Sequence, residues 1–467
     1  MTFIEDFKTD EEIGILKLAC ENDLKTFIKV IHYYMTGSSF VFKDFHNLVI
    51  EKLENIAKYK TTKNLLLNLP VGFGKSAIVE YFKSWCFARN KNICFLYTSY
   101  SDKLVHKLSS EIIEIIQSEP YQAMWHYMLK KDKKSKANWS IDGSVGRAGL
   151  TAGSMGGTIT GLDAGNPAVK GFCGALIIDD PMKSGDEIYE TKRELCVEFY
   201  SRKLTTRLRR SDVPIILIMQ RLHEEDLTGY IKNEGKYEKG LTKEQKEQWK
   251  DQWDVVTVKA LVDEKSIWEE KVSTKTLLLE RDKTPWVFYS QRQQEPNTNI
   301  NTNFKGLNFV DDNSLLFNGI GLVDKSFGGD DSTAFVIARK GKVDGQEKII
   351  MFGKKWDRHI DECLSEIKLY KEKYKTGTIY TENNDDKGYT AKNNGFAQYH
   401  EDMNKHHKIM TYLYSNWKDV VFVKETDDDF IKQIQNYNEN SAHDDCPDAC
   451  ASIIRQLTKR PSIEFLH

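Results

Sequence analysis

What this chain has little of narrows its identity first. Its eight cysteines include no CxxC pair, so free thiols in a reducing cytoplasm are expected, not a disulfide framework. No apolar run approaches the roughly 20 residues that a membrane helix needs; the longest, VPIILIM at 213–219, is strand-sized. The N-terminus carries acids early and lacks a basic-then-apolar pattern, so no secretory signal is expected. Net charge is only −2, so any contact with nucleic acid must come from local basic patches and not from a global field. What remains is a soluble globular class of 467 residues, too long for one ordinary core, and two domains of roughly 150–250 residues each are expected.

Two series of secondary structure can be read. The first holds NLLLNLP (64–70), ICFLYTSY (93–100), GALIIDD (174–180), VPIILIMQ (213–220) and WDVVTVKAL (253–261). Short continuous apolar runs of this kind predict strands buried on both faces of a parallel sheet. Leu104, Leu108, Ile112 and Ile115 between them are spaced as one helical face. From about 262 to 310 the chain turns polar and reads as a linker. The second series begins with GIGLVD, TAFVIAR and EKIIMFGKKW, then alternates helices and strands through TIYTEN, VVFVK and PDACASIIRQL. Three meandering strands followed by alternation predict a ribonuclease-H-like domain.

The stretch NLLLNLPVGFGKSAIVEYF (64–82) carries the clearest chemistry. Gly72-Phe73-Gly74-Lys75-Ser76 follows a strand and opens a helix, the context of a phosphate loop, yet Leu69 stands where the first glycine of GxxxxGK[ST] belongs. Backbone N–H groups at the helix start would face phosphates, Lys75 would reach the β and γ oxygens, and Ser76 would hold Mg²⁺. ALIIDDP places Asp179 and Asp180 at a strand end, with Asp179 expected to position Mg²⁺ and Asp180 to orient or deprotonate the attacking water. Gln220 and Arg221 follow another apolar strand and are suited to sensing the γ-phosphate. Glu224 to Asp226 read as the acidic first turn of a helix. Phe42 and His46 serve either as an adenine platform or as core.

Taken in order, FHNLVIEKLENI, LPVGFGKS, GGTITG, ALIIDDP, TTRL and QRLHEEDLTG resemble the large terminase subunit of tailed bacteriophages, over roughly residues 35–455. The resemblance implies a viral DNA-packaging motor with ATP and Mg²⁺ as cofactors. ATP hydrolysis would drive double-stranded DNA into a procapsid, and an attached endonuclease would cut concatemeric DNA. It implies residues 1–40 as an N-terminal helical lid, 41–262 as a P-loop ATPase domain of the additional-strand type, 263–310 as a linker and 311–467 as a ribonuclease-H-like nuclease domain. Partners would be a portal protein, a small terminase subunit and further copies in a ring, with a monomer in isolation and the host-cell cytoplasm as location. Where the family often has Pro-Pro-Arg before its loop, Val71, Gly72 and Phe73 stand here, so the loop arginine is missing. Gln220-Arg221-Leu222-His223 is similar to the family's Thr-Arg-Trp-His coupling motif. Arg147 is the candidate arginine finger, with Arg207 second.

For the second domain, Asp324 and Glu382 end strands while Asp445 and Asp448 begin the last helix. In a ribonuclease-H-like sheet these places converge, and two Mg²⁺ or Mn²⁺ ions would neutralise the acids and activate a water. YTENN and HDDCPDA resemble the terminase nuclease motifs. Asp330 and Asp331 read as a turn. SRKLTTRLRRSD (201–212) and LKKDKKSK (129–136) supply either salt-dependent phosphate contacts or solvated surface. A helicase-nuclease fusion and a non-hydrolysing subunit that docks DNA and portal are the alternative functions.

Overall fold

All five apolar runs of the first half become strands of one sheet in the computed structural model of the chain. The sheet comprises Asn64–Asn68 (β1), Cys94–Ser99 (β2), Leu129–Ser135 (β3), Asn138–Ile141 (β4), Gly149–Ser154 (β5), Leu176–Asp179 (β6), Ile215–Met219 (β7) and Trp253–Thr257 (β8). Its order is β3-β4-β5-β2-β6-β7-β1-β8. The strands from β5 to β8 pair in parallel, while β3, β4 and β5 pair antiparallel at one edge. β7 thus lies between the strand that enters the glycine loop and the strand that ends in Asp179, the additional-strand arrangement expected. The structure describes residues 3–157, 162–238, 242–296, 304, 306–328, 332–384, 388–437, 441 and 443–458. Asp330, Asp331 and residues 158–161 of the GGTITG stretch lie outside them.

The apolar runs are continuous because each strand feeds two cores. Leu65, Leu67, Phe95, Tyr97, Ile177, Ile216 and Ile218 pack on one face, while Leu66, Leu96, Leu176, Ile178, Ile215, Leu217 and Met219 pack on the other. Alternate residues point to opposite faces, and helices cover both. Lys75–Arg89 and Asp102–Gln117 lie on the first face, the latter through Val105, Leu108, Ile112 and Ile115. The N-terminal helices Asp10–Asn22 and Leu24–Thr36 add Cys20, Phe27, Ile28 and Ile31 to the same core.

The polar stretch after β8 is less empty than its composition suggests. Leu261–Val262 (β9) and Lys265–Ser266 (β10) form a hairpin, followed by the helix Thr274–Lys283 and a π-helical turn Phe288–Arg292. Leu277 and Phe288 close a small core with Phe73, Ala260 and Leu261. So few apolar residues suffice for a satellite core that the sequence still reads as polar. The chain divides into two compact units, Met1–Leu278 with Val287–Pro296, and Leu279–Trp286 with Asn297–His467.

The second unit holds Asn308–Val310 (β11), Ile320–Asp324 (β12), Thr333–Val343 (β13), Gln346–Trp356 (β14), Ile379–Glu382 (β15), Ala397–Tyr399 (β16) and Val420–Val423 (β17). They order as β11-β17-β14-β13-β12-β15-β16. β12, β13 and β14 meander antiparallel, and β15 and β16 add in parallel beyond β12, the meander followed by alternation that the sequence predicts. The helix Asp445–Thr458 covers one face through Cys446, Ala449, Cys450, Ile453 and Ile454. All eight cysteines are free and buried. Among the described residues no helix is long and apolar enough to cross a membrane.

Candidate functional site

The glycine loop is held from below. Leu69 is buried in the core and is absent from the left-handed residues, so the position needs no glycine. Gly72 and Gly74 do adopt left-handed backbone, with φ of 80° and 76°, which a side chain would strain. Between them Phe73 anchors in the small satellite core. His46 Nδ1 accepts from the Lys43 N–H at 3.0 Å, which assigns the ring proton to Nε2, 3.1 Å from the Phe73 carbonyl. His46 is therefore a support for the loop and not an adenine platform. The loop lacks its own arginine, but Arg292 donates to the Val71 carbonyl at 3.0 Å. No side chain caps the helix Lys75–Arg89, and its first N–H groups are open to an anion.

Asp179 and Asp180 stand beside that helix start. The Lys75 ammonium is ion-paired with Asp180. Asp180 is itself left-handed, φ 44°, with its backbone N–H on the Ile218 carbonyl at 2.8 Å and its carbonyl accepting from Tyr100 at 3.0 Å. Asp179 is 1% exposed; its Oδ2 accepts from the Tyr97 hydroxyl at 3.1 Å, and its Oδ1 is buried with no partner. Burial, then the charge of Asp180, pushes its pKa up to about 6, against the pull of Lys75 and Lys83. An orphaned carboxylate oxygen next to a second carboxylate fits a hydrated cation. Ser76 is half-buried on the first turn of the loop helix. The side-chain oxygen of Gln220 is likewise buried and unpartnered.

Two expected residues do not join this site. Arg221 is 2% exposed, and its guanidinium is taken up by Asp226 at 3.1 Å, Glu234 at 3.1 Å and the carbonyls of His223 and Glu224. It braces the 221–234 loop and offers no free edge to a phosphate; a sequence shows an arginine's position but not its buried partners. Asp226, fully buried, caps the helix Leu227–Lys232 through the Gly229 N–H at 2.9 Å. Arg147 precedes β5, whose first residue pairs with Cys94 at the start of β2, whereas the phosphate loop follows the end of β1. That is the opposite edge of the sheet, about five residues or ~17 Å along the strands. There Arg147 is ion-paired with Asp163, which Arg209 also contacts at 2.5 Å. It cannot act on the phosphate loop of its own chain. Arg202 and Arg210 of the same basic stretch pair with Glu198 and Asp212. Arg207 donates to the Lys203 carbonyl at 3.3 Å. Leu129–Ser135 of LKKDKKSK forms the edge strand β3, where lysines such as Lys130 and Lys131 guard against edge-to-edge pairing.

In the second unit the register gathers the acids. Leu322 points into the core under the last helix, so Asp324, two residues on, shares that face. Val323 pairs with Thr381, which sets Glu382 beside Asp324, and Glu382 pairs in turn with Tyr399. Asp445 and Asp448 come from the first turn of the helix above. Asp324 Oδ2 is buried without a partner; burial, then Asp448, raises its pKa well above the carboxylate range. Burial also pushes Asp448 up to about 6, against the pull of Lys408 and Lys405.

Two lysines that the sequence reading passed over answer these charges. Lys408 Nζ lies 2.9 Å from Asp448 Oδ1 and 3.2 Å from Glu401 Oε2, and Lys405 lies 3.1 Å from Asp444. Asp445 Oδ2 accepts from the Ser332 N–H at 3.1 Å. Among the described residues no group of three or more His, Cys, Asp or Glu is arranged to hold a metal. The four expected acids are therefore not arranged as a ready two-ion set: Asp324 and Glu382 lie side by side by register, and Asp448 is paired with Lys408. KHHK at 405–408 gave no signal, because a buried lysine looks like a surface one in sequence.

No protein-family model matches the chain, and no curated protein matches it in sequence. Solved structures do match. The large terminase of bacteriophage HK97 is 11% identical, covering 86% of this chain and 90% of its own, with a TM-score of 0.42. The chain resembles phage large terminases. The large terminase of the thermophilic bacteriophage D6E in complex with ATP-gamma-S is 9% identical over 89% of this chain and 99% of its own, TM-score 0.46. The large terminase nuclease of the thermophilic phage G20c covers 34% of this chain and 97% of its own at 11% identity, TM-score 0.25.

Proposed function

We propose that the chain is a DNA-packaging ATPase and nuclease: ATP hydrolysis in the first unit moves double-stranded DNA into a procapsid, and the second unit cuts concatemeric DNA. The observation that supports this reading is the pairing, in one chain, of an open loop-and-helix start beside Lys75, Asp179 and Asp180 with a second sheet whose register gathers Asp324, Glu382, Asp445 and Asp448. Gly72, Gly74, Lys75 and the helix N–H groups bind the phosphates of ATP. Ser76 and Asp179 hold Mg²⁺, which when bound neutralises the phosphates. The Lys75 ammonium pairs with Asp180; a γ-phosphate competes for that ammonium and frees Asp180 to take the proton of the attacking water, while Gln220 orients that water. Arg147, the candidate arginine finger, acts in trans on a neighbouring copy of the ring. Portal protein and small terminase subunit are the partners of that ring.

In the second unit Asp324 and Glu382 hold Mg²⁺ or Mn²⁺, which when bound polarises a water and the leaving oxygen of the phosphodiester. Plasmid cleavage by the purified chain with Mg²⁺ or Mn²⁺ tests this directly. Metal-dependent cutting by the wild type and its loss in Asp324→Ala are expected; no cutting by the wild type, or equal cutting by the variant, would make the acids structural and leave only the motor.

A further inference from the structure

Behind the phosphate loop Asp179 belongs to a buried polar cluster whose other members, Glu80, Lys83 and Tyr97, the chemistry above does not use. Glu80 and Lys83 sit one turn apart on the loop helix, 2% and 0% exposed. Lys83 Nζ is 3.2 Å from Glu80 Oε2 and 3.3 Å above the Tyr97 ring. The Tyr97 hydroxyl, fully buried on β2, reaches Glu80 Oε1 at 3.2 Å and Asp179 Oδ2 at 3.1 Å. Packed apolar side chains would fill this space at lower cost than an ammonium, two carboxyl groups and a phenol. A phenol owns one proton, so it cannot donate to both carboxyl groups; one of them must supply a proton of its own. Glu80 is the one that does. Burial pushes its pKa up to about 8, so its hydroxyl donates to the Tyr97 oxygen and Tyr97 donates onward to Asp179.

We propose that Tyr97 is the positioning residue of Asp179: it fixes Oδ2, leaves Oδ1 unbonded for the cation side, and ties the carboxylate through Glu80 to the helix that begins at Lys75. The phosphate loop and its acid are thereby held in one orientation. This rests on the ATPase reading. Tyr97→Phe removes only the hydroxyl, and steady-state ATP hydrolysis is measured against Mg²⁺ concentration at fixed ATP. The half-saturating Mg²⁺ rises about tenfold, as expected for loss of a group that orients a ligand. Binding of a fluorescent ATP analogue in EDTA stays at the wild-type level. Glu80→Gln keeps a donor toward Tyr97 and shifts Mg²⁺ dependence by no more than about twofold. Unchanged Mg²⁺ dependence in Tyr97→Phe, or loss of EDTA binding and Mg²⁺ dependence together, overturns the positioning role while the ATPase reading stands. A wild type without Mg²⁺-dependent hydrolysis overturns both.

Discussion

Both units set a lysine against a strand-end or helix-start aspartate, and they do so under opposite conditions. Lys75 meets Asp180, whose side chain is 27% exposed; Lys408 meets Asp448 with side chains 1% and 4% exposed. The first pair sits where a ligand can break it, and its companion Asp179 keeps one oxygen free. The second is sealed under a helix and shares its ammonium with Glu401. One lysine stands at an open edge of the proposed site, and the other is part of the fold. Equal chemistry at two strand ends therefore does not mean equal availability.

The sharpest way to break this comparison is to remove each lysine. Lys75→Ala should lower ATP hydrolysis by at least ~10³-fold, about 4 kcal/mol of transition-state stabilisation, with melting midpoint and DNA binding unchanged. Comparable hydrolysis in the variant would remove the phosphate loop from the chemistry. Lys408→Met should instead cost about 3–5 kcal/mol in denaturant unfolding, because it leaves the buried Asp448 carboxyl without its ammonium, while Glu401 keeps Arg455. Adding Asp448→Asn to that variant should restore part of the loss; a Lys408→Met protein as stable as wild type would show that the pair is not structural.

A smaller effect follows from the raised carboxyl groups. A pKa raised from 3.8 to about 6 in the fold means that protons favour the folded state. The contribution is fully present below the unfolded pKa and is lost as pH rises through about 6. Two pKa units correspond to about 3 kcal/mol, so wild type without divalent cations should lose about that much relative to Asp448→Asn between pH 4 and 7. Unfolding curves of both proteins across that range check the sign; a constant difference would show Asp448 ionised throughout. Smallest of all, Lys131→Ala on the exposed edge strand should change stability by less than about 0.5 kcal/mol, against several for the buried lysine. A drop of one unit in the salt dependence of DNA binding would instead make that strand a phosphate contact.

The sheets were legible because their chemistry is periodic. Leu66 and Leu67 go to different cores, so every position had to be apolar, and the run announced the strand. The same parity brought Asp324 and Glu382 to one face. What stayed hidden was pairing between distant residues. Arg221 read as a phosphate sensor because Asp226 and Glu234 are ordinary acids in sequence. Tyr97, Lys405 and Lys408 gained meaning only from what lies within hydrogen-bond reach. The satellite core around Phe73 was missed because its apolar members are few and far apart in the chain.

The backbone of Asp180 carries a consequence for any saturation library at the two acids. At φ 44° the position admits Asp, Asn and Gly with little penalty and disfavours β-branched residues outright. Depletion of valine or isoleucine at 180 would therefore report a conformational filter, while depletion of asparagine would report lost chemistry. Position 179 has ordinary strand geometry and gives no such split, so Asn is the informative allele at 180 and the ratio of its fitness to that of valine separates the two demands on one residue.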